Sequence, residues 1–136
     1  MKINPYLMFD GKCEEAFQFY ARCFDAKINA MMPHRGSPME AQTPADWLDK
    51  IMHANMNIGD VVLMGSDAPP GQYLKPQGFS VAIGAPAPAD AERIFAALGE
   101  GGMVLMPMAE TFWALRFGML IDKFGIPWMV NCDRPM

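Results

Sequence analysis

Apolar and polar positions change period several times along the chain, and each change predicts an element. Asn4 to Phe9 is apolar nearly throughout and reads as a strand, broken by Asp10-Gly11. Glu14 and Glu15 then occupy a first helical turn, where the helix dipole favours negative charge. Ala16, Phe19, Tyr20, Cys23 and Phe24 recur at helical spacing and form one buried stripe. Lys27 to Met32 is a short strand. Lys50 to Ile58 alternates, with Ile51, His53, Asn55 and Asn57 on one face and Met52, Ala54, Met56 and Ile58 on the other. Gly59-Asp60 is a tight-turn signal, and Val61 to Gly65 returns to complete a hairpin.

Between the second and third strands the pattern lapses. Pro33 to Asp49 holds prolines, a glycine and few apolar anchors, so it reads as loop with a short irregular helix around Trp47. Ser66 to Gln77, rich in Pro and Gly, is a second break and the candidate junction between halves.

Beyond it the order repeats. Phe79 to Ile83 is a strand. A helix opens at Pro86 to Asp90, with Pro88 tolerated in its first turn, and carries the stripe Ala91, Ile94, Phe95 and Leu98. Gly99 to Gly102 stops it. Met103 to Met106, Thr111 to Ile121 and Ile126 to Asn131 are strands, the last two joined by the turn Asp122-Lys123-Phe124-Gly125. Laid over each other, the helices match Ala16 with Ala91, Phe19 with Ile94, Tyr20 with Phe95 and Cys23 with Leu98. Agreement of both the helix stripe and the closing hairpin points to an internal duplication. The expectation is therefore a single α+β domain over residues 1–136. It is built from paired βαβββ modules, about 1–66 and 78–136, whose mixed sheets curve around a trough with the helices outside.

Composition narrows the function classes. About half the residues are apolar, enough for a core, and the net charge is −4 with 19 % charged residues. That balance lacks the basic footprint of a nucleic-acid binder. No apolar run reaches the length of a membrane span, and Met1 to Pro5 enters a strand pattern without a secretory signal, so a cytoplasmic protein is expected. Cys13, Cys23 and Cys132 are odd in number and widely spaced, which suits neither a disulfide framework nor a zinc knuckle. Cys23 belongs to the helical stripe. Cys13, near a helix N-terminus, is a candidate thiolate. The 14 methionines suit a Met-rich core or a Met-lined ligand cavity.

Several stretches carry a family resemblance. They are Pro5-Tyr6-Leu7-Met8-Phe9-Asp10-Gly11, Lys50-Ile51-Met52-His53-Ala54, Val62-Leu63-Met64-Gly65-Ser66-Asp67, Glu110-Thr111-Phe112-Trp113 with Phe117-Gly118-Met119, and Asp122 through Asn131. With them the chain resembles, over nearly its whole length, the vicinal-oxygen-chelate superfamily of glyoxalase I, bleomycin-resistance proteins and extradiol dioxygenases. The closer resemblance is to its PhnB-like branch, once labelled demethylubiquinone-methyltransferase-like. The chain has no Gly-rich strand-to-helix loop for a methyl-donor nucleotide. The resemblance implies a homodimer. In metal-dependent members it implies His or Glu ligands on four strands, at positions that here hold Pro5, His53, Phe79 and Met129. Only His53 has ligand chemistry, so neither a divalent metal nor another cofactor is expected.

Two functional readings follow. One is a metal-independent small-molecule binding protein, with Phe79, Trp113, Arg116 and Met129 as candidate ligand contacts. Arg116 would hold an anion by paired hydrogen bonds. The other is an enzyme with His53 and Glu110 as acid/base groups, because imidazole titrates near neutrality and a carboxylate beside aromatic walls has a raised pKa. A Glu110–Arg116 ion pair is the plainer account of that carboxylate. Asp122 reads as turn chemistry and Trp128 as packing beneath a helix.

Overall fold

The computed structural model describes residues 1–135. Strand β1 (Tyr6–Phe9) is followed by helix α1 (Cys13–Phe24), β2 (Ile28–Pro33), β3 (Ile51–Ile58) and β4 (Val61–Asp67). The same order recurs in β5 (Val81–Gly84), α2 (Pro88–Leu98), β6 (Met103–Ala109), β7 (Ala114–Ile121) and β8 (Pro127–Asp133). Each set forms one four-stranded mixed sheet, ordered β1-β4-β3-β2 and β5-β8-β7-β6. In each, the first strand runs parallel to the last and the other pairs are antiparallel. The α+β class and the twice-used βαβββ module are thus as expected. The chain divides into two units between Leu74 and Lys75, inside the Pro/Gly-rich stretch. No described helix is long and apolar enough to cross a membrane.

In the first unit α1 covers one face of its sheet. Ala16, Phe17, Phe19, Tyr20 and Cys23 are buried against Leu7, Phe9, Ala54, Met56 and Leu63. Phe17 meets Phe9 edge-on with ring centroids 6.4 Å apart, a favourable aromatic geometry. It was absent from the expected stripe, whereas Phe24 is only half-buried. Gly65 is required under this helix. A Cβ there would lie 2.7 Å from the Phe17 ring and 2.9 Å from the Leu7 carbonyl oxygen. The helix lacks a side-chain cap from its own N-cap, Lys12. Asp67, buried at the end of β4, supplies it: one carboxylate oxygen accepts from Cys13 N at 3.0 Å and the other from Ile51 N at 2.8 Å. One side chain thereby ties β4 to α1 and β3 and places negative charge at a helix N-terminus.

In the second unit Ala91, Ile94, Phe95 and Leu98 of α2 are buried as expected, over a face that includes Leu120, Trp128 and Val130. Asp122 closes the β7–β8 turn. Its carboxylate accepts from Phe124 N, Ile126 N and the Trp128 indole nitrogen, at 2.8 to 3.0 Å. Turn chemistry and the placing of Trp128 under the helix are therefore one network.

Element ends depart from the expected ones. Asn4 and Pro5 precede β1, and the Asn4 side chain accepts from Val62 N instead. Phe79 precedes β5, and Thr111 to Trp113 precede β7, where the Thr111 hydroxyl accepts from Trp113 N and Ala114 N. That local turn replaces the first residues of the expected strand. Strand β6 runs on through Pro107 to Ala109 because it lies at a sheet edge, where a missing N–H is tolerated.

Candidate functional site

The alternation of β3 sends Ala54 and Met56 toward α1 and His53 and Asn55 to the opposite, uncovered face. Register decides their neighbours. Met32 of β2 pairs with His53, Met64 of β4 pairs with both Asn55 and Tyr6, and Ser66 pairs with Met8 of β1. Three polar side chains meet there. The Tyr6 hydroxyl lies 3.3 Å from His53 Nδ1, and the Asn55 amide nitrogen 3.2 Å from His53 Nε2. The Tyr6 and His53 rings are tilted, with centroids 5.8 Å apart. Met8 approaches the Ser66 hydroxyl with its sulfur, at 3.6 Å. Tyr6, Met8 and Met32 remain 38–44 % exposed, so the cluster lies open. Ile51, expected on the His53 face, is buried instead, next to the register shift between Met32 and Pro33.

The uncovered face of the second sheet is mostly apolar, with Asn131 and Asp133 at one end of β8. Phe117 and Met119 of β7 alternate with the helix-facing Gly118 and Leu120, and Met119 pairs with Met129 of β8. Ala82 is the β5 residue beside Met129, so Phe79, half-exposed ahead of the strand, is not its register partner. Trp113 stands at the edge of this face in edge-on contact with Phe117 at 5.4 Å and Phe112 at 4.8 Å. Asn131, paired in register with Phe117, donates its side-chain amide to Asp133, while its side-chain Oδ1 is buried without a partner.

Arg116 and Glu110 are held elsewhere. Arg116 forms a half-exposed ion pair with Glu92 of α2 at 3.0 Å, which puts its guanidinium on the helix-covered side. Glu110 pairs with Arg134 at 2.5 Å, not with Arg116. His53 lies in the first unit and Glu110 in the second. Burial, with the charges of Asp67 and Glu14 adding to it, pushes the Cys13 thiol well above its ordinary value. This disfavours the candidate thiolate, because the Asp67 carboxylate already holds the helix N-terminus that a thiolate would need.

A metal of the superfamily type does not fit these residues. Among the described residues no three His, Cys, Asp or Glu side chains converge on a common point. His53 has both ring nitrogens engaged by Tyr6 and Asn55. The expected ligand positions beyond it offer Pro5, Phe79 and Met129, none of them a donor for a hard or borderline divalent ion. Tyr6 and Asn55 are the residues that sequence reasoning left without a role. The signal for Asn55 was its shared face with His53, whereas Tyr6 comes close only through the β1-β4-β3 strand order.

Comparison with known proteins agrees with this architecture. Residues 1–131 match the family model described as 3-demethylubiquinone-9 3-methyltransferase. Protein YjdN of Escherichia coli K12 is 34 % identical over 96 % of this chain and 95 % of its own length. The crystal structure of PA1353 from Pseudomonas aeruginosa is 46 % identical, with a TM-score of 0.90 over 99 % of both chains. A putative 3-demethylubiquinone-9 3-methyltransferase, PhnB protein, from Bacillus cereus is 25 % identical, with a TM-score of 0.79 over 97 % of this chain and 99 % of that one. At the level of fold alone, a glyoxylase/bleomycin resistance protein/dioxygenase domain from Frankia is 14 % identical with a TM-score of 0.68 over 98 % of each chain. The chain therefore belongs to the PhnB-like 3-demethylubiquinone-9 3-methyltransferase family, on the fold of the glyoxalase/bleomycin-resistance/dioxygenase superfamily.

Proposed function

We propose that this chain binds a small molecule, without a metal, on the uncovered face of its first sheet. The observation that carries the reading is the linked trio Tyr6, His53 and Asn55 on a face otherwise furnished by Met8, Met32 and Met64. A few fixed polar groups among adaptable apolar side chains are what a small-molecule site requires. In the second unit Trp113, ahead of β7, and Met129 of β8 offer apolar contact area of the same kind. The alternative, an enzyme using His53 and Glu110, draws less support because Glu110 is held by Arg134. Methyl transfer draws none from these residues. The β1–α1 turn holds a single glycine, Gly11, and Asp67 occupies the N-terminus of α1.

The 14 methionines make the test direct. With the methionine methyl groups isotopically labelled, a library of small apolar and polar compounds is screened by NMR. Binders are expected to move the Met8, Met32 and Met64 signals first. Hits that leave these three untouched while moving others would sink the proposal.

The same protein is proposed to act as a homodimer in the cytoplasm. The first part rests on β6, an uncharged edge strand whose Met103, Val104, Leu105 and Met106 are each about half-exposed. The second draws support from three cysteines that are all buried and unbridged, which suits a reducing compartment.

A further inference from the structure

We infer that the ligand of the Tyr6–His53–Asn55 site is a neutral, mainly apolar molecule whose carbonyl-type oxygen accepts a hydrogen bond from the Tyr6 hydroxyl. The inference rests on the binding face proposed above and assigns it a ligand chemistry. Its first step is the tautomer of His53. An amide nitrogen can only donate, and the Asn55 amide nitrogen lies 3.2 Å from Nε2. Nε2 therefore accepts with its lone pair, and the ring N–H is on Nδ1. That N–H points at the Tyr6 oxygen, 3.3 Å away, which accepts it. The phenol's own proton is then left over, and among the described residues no acceptor takes it. Asn55 and His53 thus set Tyr6 as an outward-facing donor.

The surroundings fix the rest of the ligand. Register places Met64 beside Tyr6, Met8 next along the same strand face, and Met32 beside His53. The alternation of the four strands brings no Asp, Glu, Lys or Arg onto this face; Asp67, at the end of β4, turns to α1 instead. A carboxylate or phosphate would lose water here and gain no cation, which is costly, whereas a ketone, amide or lactone oxygen needs only the one donor. The apolar body of such a molecule would lie on the thioethers, which adapt their shape to it.

Three probes of one shape test this: 2-acetylnaphthalene, 2-ethylnaphthalene and 2-naphthoate, titrated against the full chain and its Tyr6→Phe variant with the methionine methyl signals as readout. The acetyl compound is expected to bind the unaltered chain about three- to tenfold more tightly than the ethyl compound, the range of one neutral hydrogen bond. Tyr6→Phe should abolish that preference and leave the ethyl affinity unchanged. Equal affinity for the two neutral probes in the unaltered chain, with Met8, Met32 and Met64 still shifting, would overturn the inference and leave the binding face standing. Tighter binding of 2-naphthoate than of the acetyl compound would overturn the neutral class. No shift at these methyls with any probe would overturn both the face and the inference. Independently of any ligand, the nitrogen chemical shifts of His53 should report a proton on Nδ1; a proton on Nε2 would remove the premise.

Discussion

At the scale of residues, two buried carboxylates organise the units by the hydrogen bonds they accept. Asp67 receives the N–H groups of Cys13 and Ile51, and Asp122 receives two N–H groups and an indole. Each satisfies backbone donors that folding would otherwise strand away from water, the expensive case for a polar group. Asp67→Ala should therefore cost about 2–4 kcal/mol, combining a lost helix cap with a second buried orphan donor. Urea unfolding of the variant checks the figure, and a loss below about 1 kcal/mol would show that water replaces the carboxylate. Sequence reading placed Asp122 in its turn because the residues it serves are two to six positions away. Asp67 escaped notice because its partners are 54 and 16 residues distant. Tyr6 was missed for the same reason: a contact across β4 is set by strand order, which periodicity does not encode. His53 was legible because alternation along one strand suffices to place it.

Among elements, the period of the apolar pattern identified every described strand and both α-helices, while their ends followed local chemistry the pattern cannot show. Thr111 ends one connection by bonding to the next backbone groups, and Pro107 continues a strand because that strand is at an edge. Close approach between elements is written in single glycines. Gly65 lets α1 settle on β4, with the Phe17 ring and the Leu7 carbonyl within clashing distance of any Cβ. The backbone carbonyl cannot turn aside as a side chain end can, so Gly65→Ala forces the helix or the strand to move. The expected loss is about 1–3 kcal/mol, as for overpacked cores. Gly84 in β5 is the control: nothing lies within 4 Å of its Cβ position, so Gly84→Ala should change stability by no more than about 0.5 kcal/mol. Thermal and urea unfolding of the two variants side by side would decide the matter. Equal effects would mean that α1 is not seated closely on β4.

For the whole molecule, the duplicated module explains the scaffold better than it explains the chemistry. Both modules keep the helix stripe and the closing hairpin, yet the ligand positions that the superfamily resemblance implies hold one imidazole and three residues unsuited to a hard or borderline divalent ion. What the second module presents instead is apolar surface. Met103, Val104, Leu105 and Met106 along β6, with Phe112 and Trp113 nearby in sequence, are 45–88 % exposed. Successive side chains of the strand alternate in direction, so both sides of this edge carry exposed apolar groups. The strand carries no Lys or Glu to blunt its edge, and Pro107 removes only one backbone donor. A second copy is the partner that such an edge fits, because an antiparallel pair of identical strands closes under a two-fold axis and leaves neither β6 edge open to a third chain. Light scattering during size-exclusion chromatography should thus report a dimer at micromolar concentration. Leu105→Lys, which adds one exposed charge to each copy of the strand, should shift the chain to monomer without lowering its helix content. A monomer for the unaltered chain would refute the dimer, and a dimer that survives the charge would move the interface away from β6.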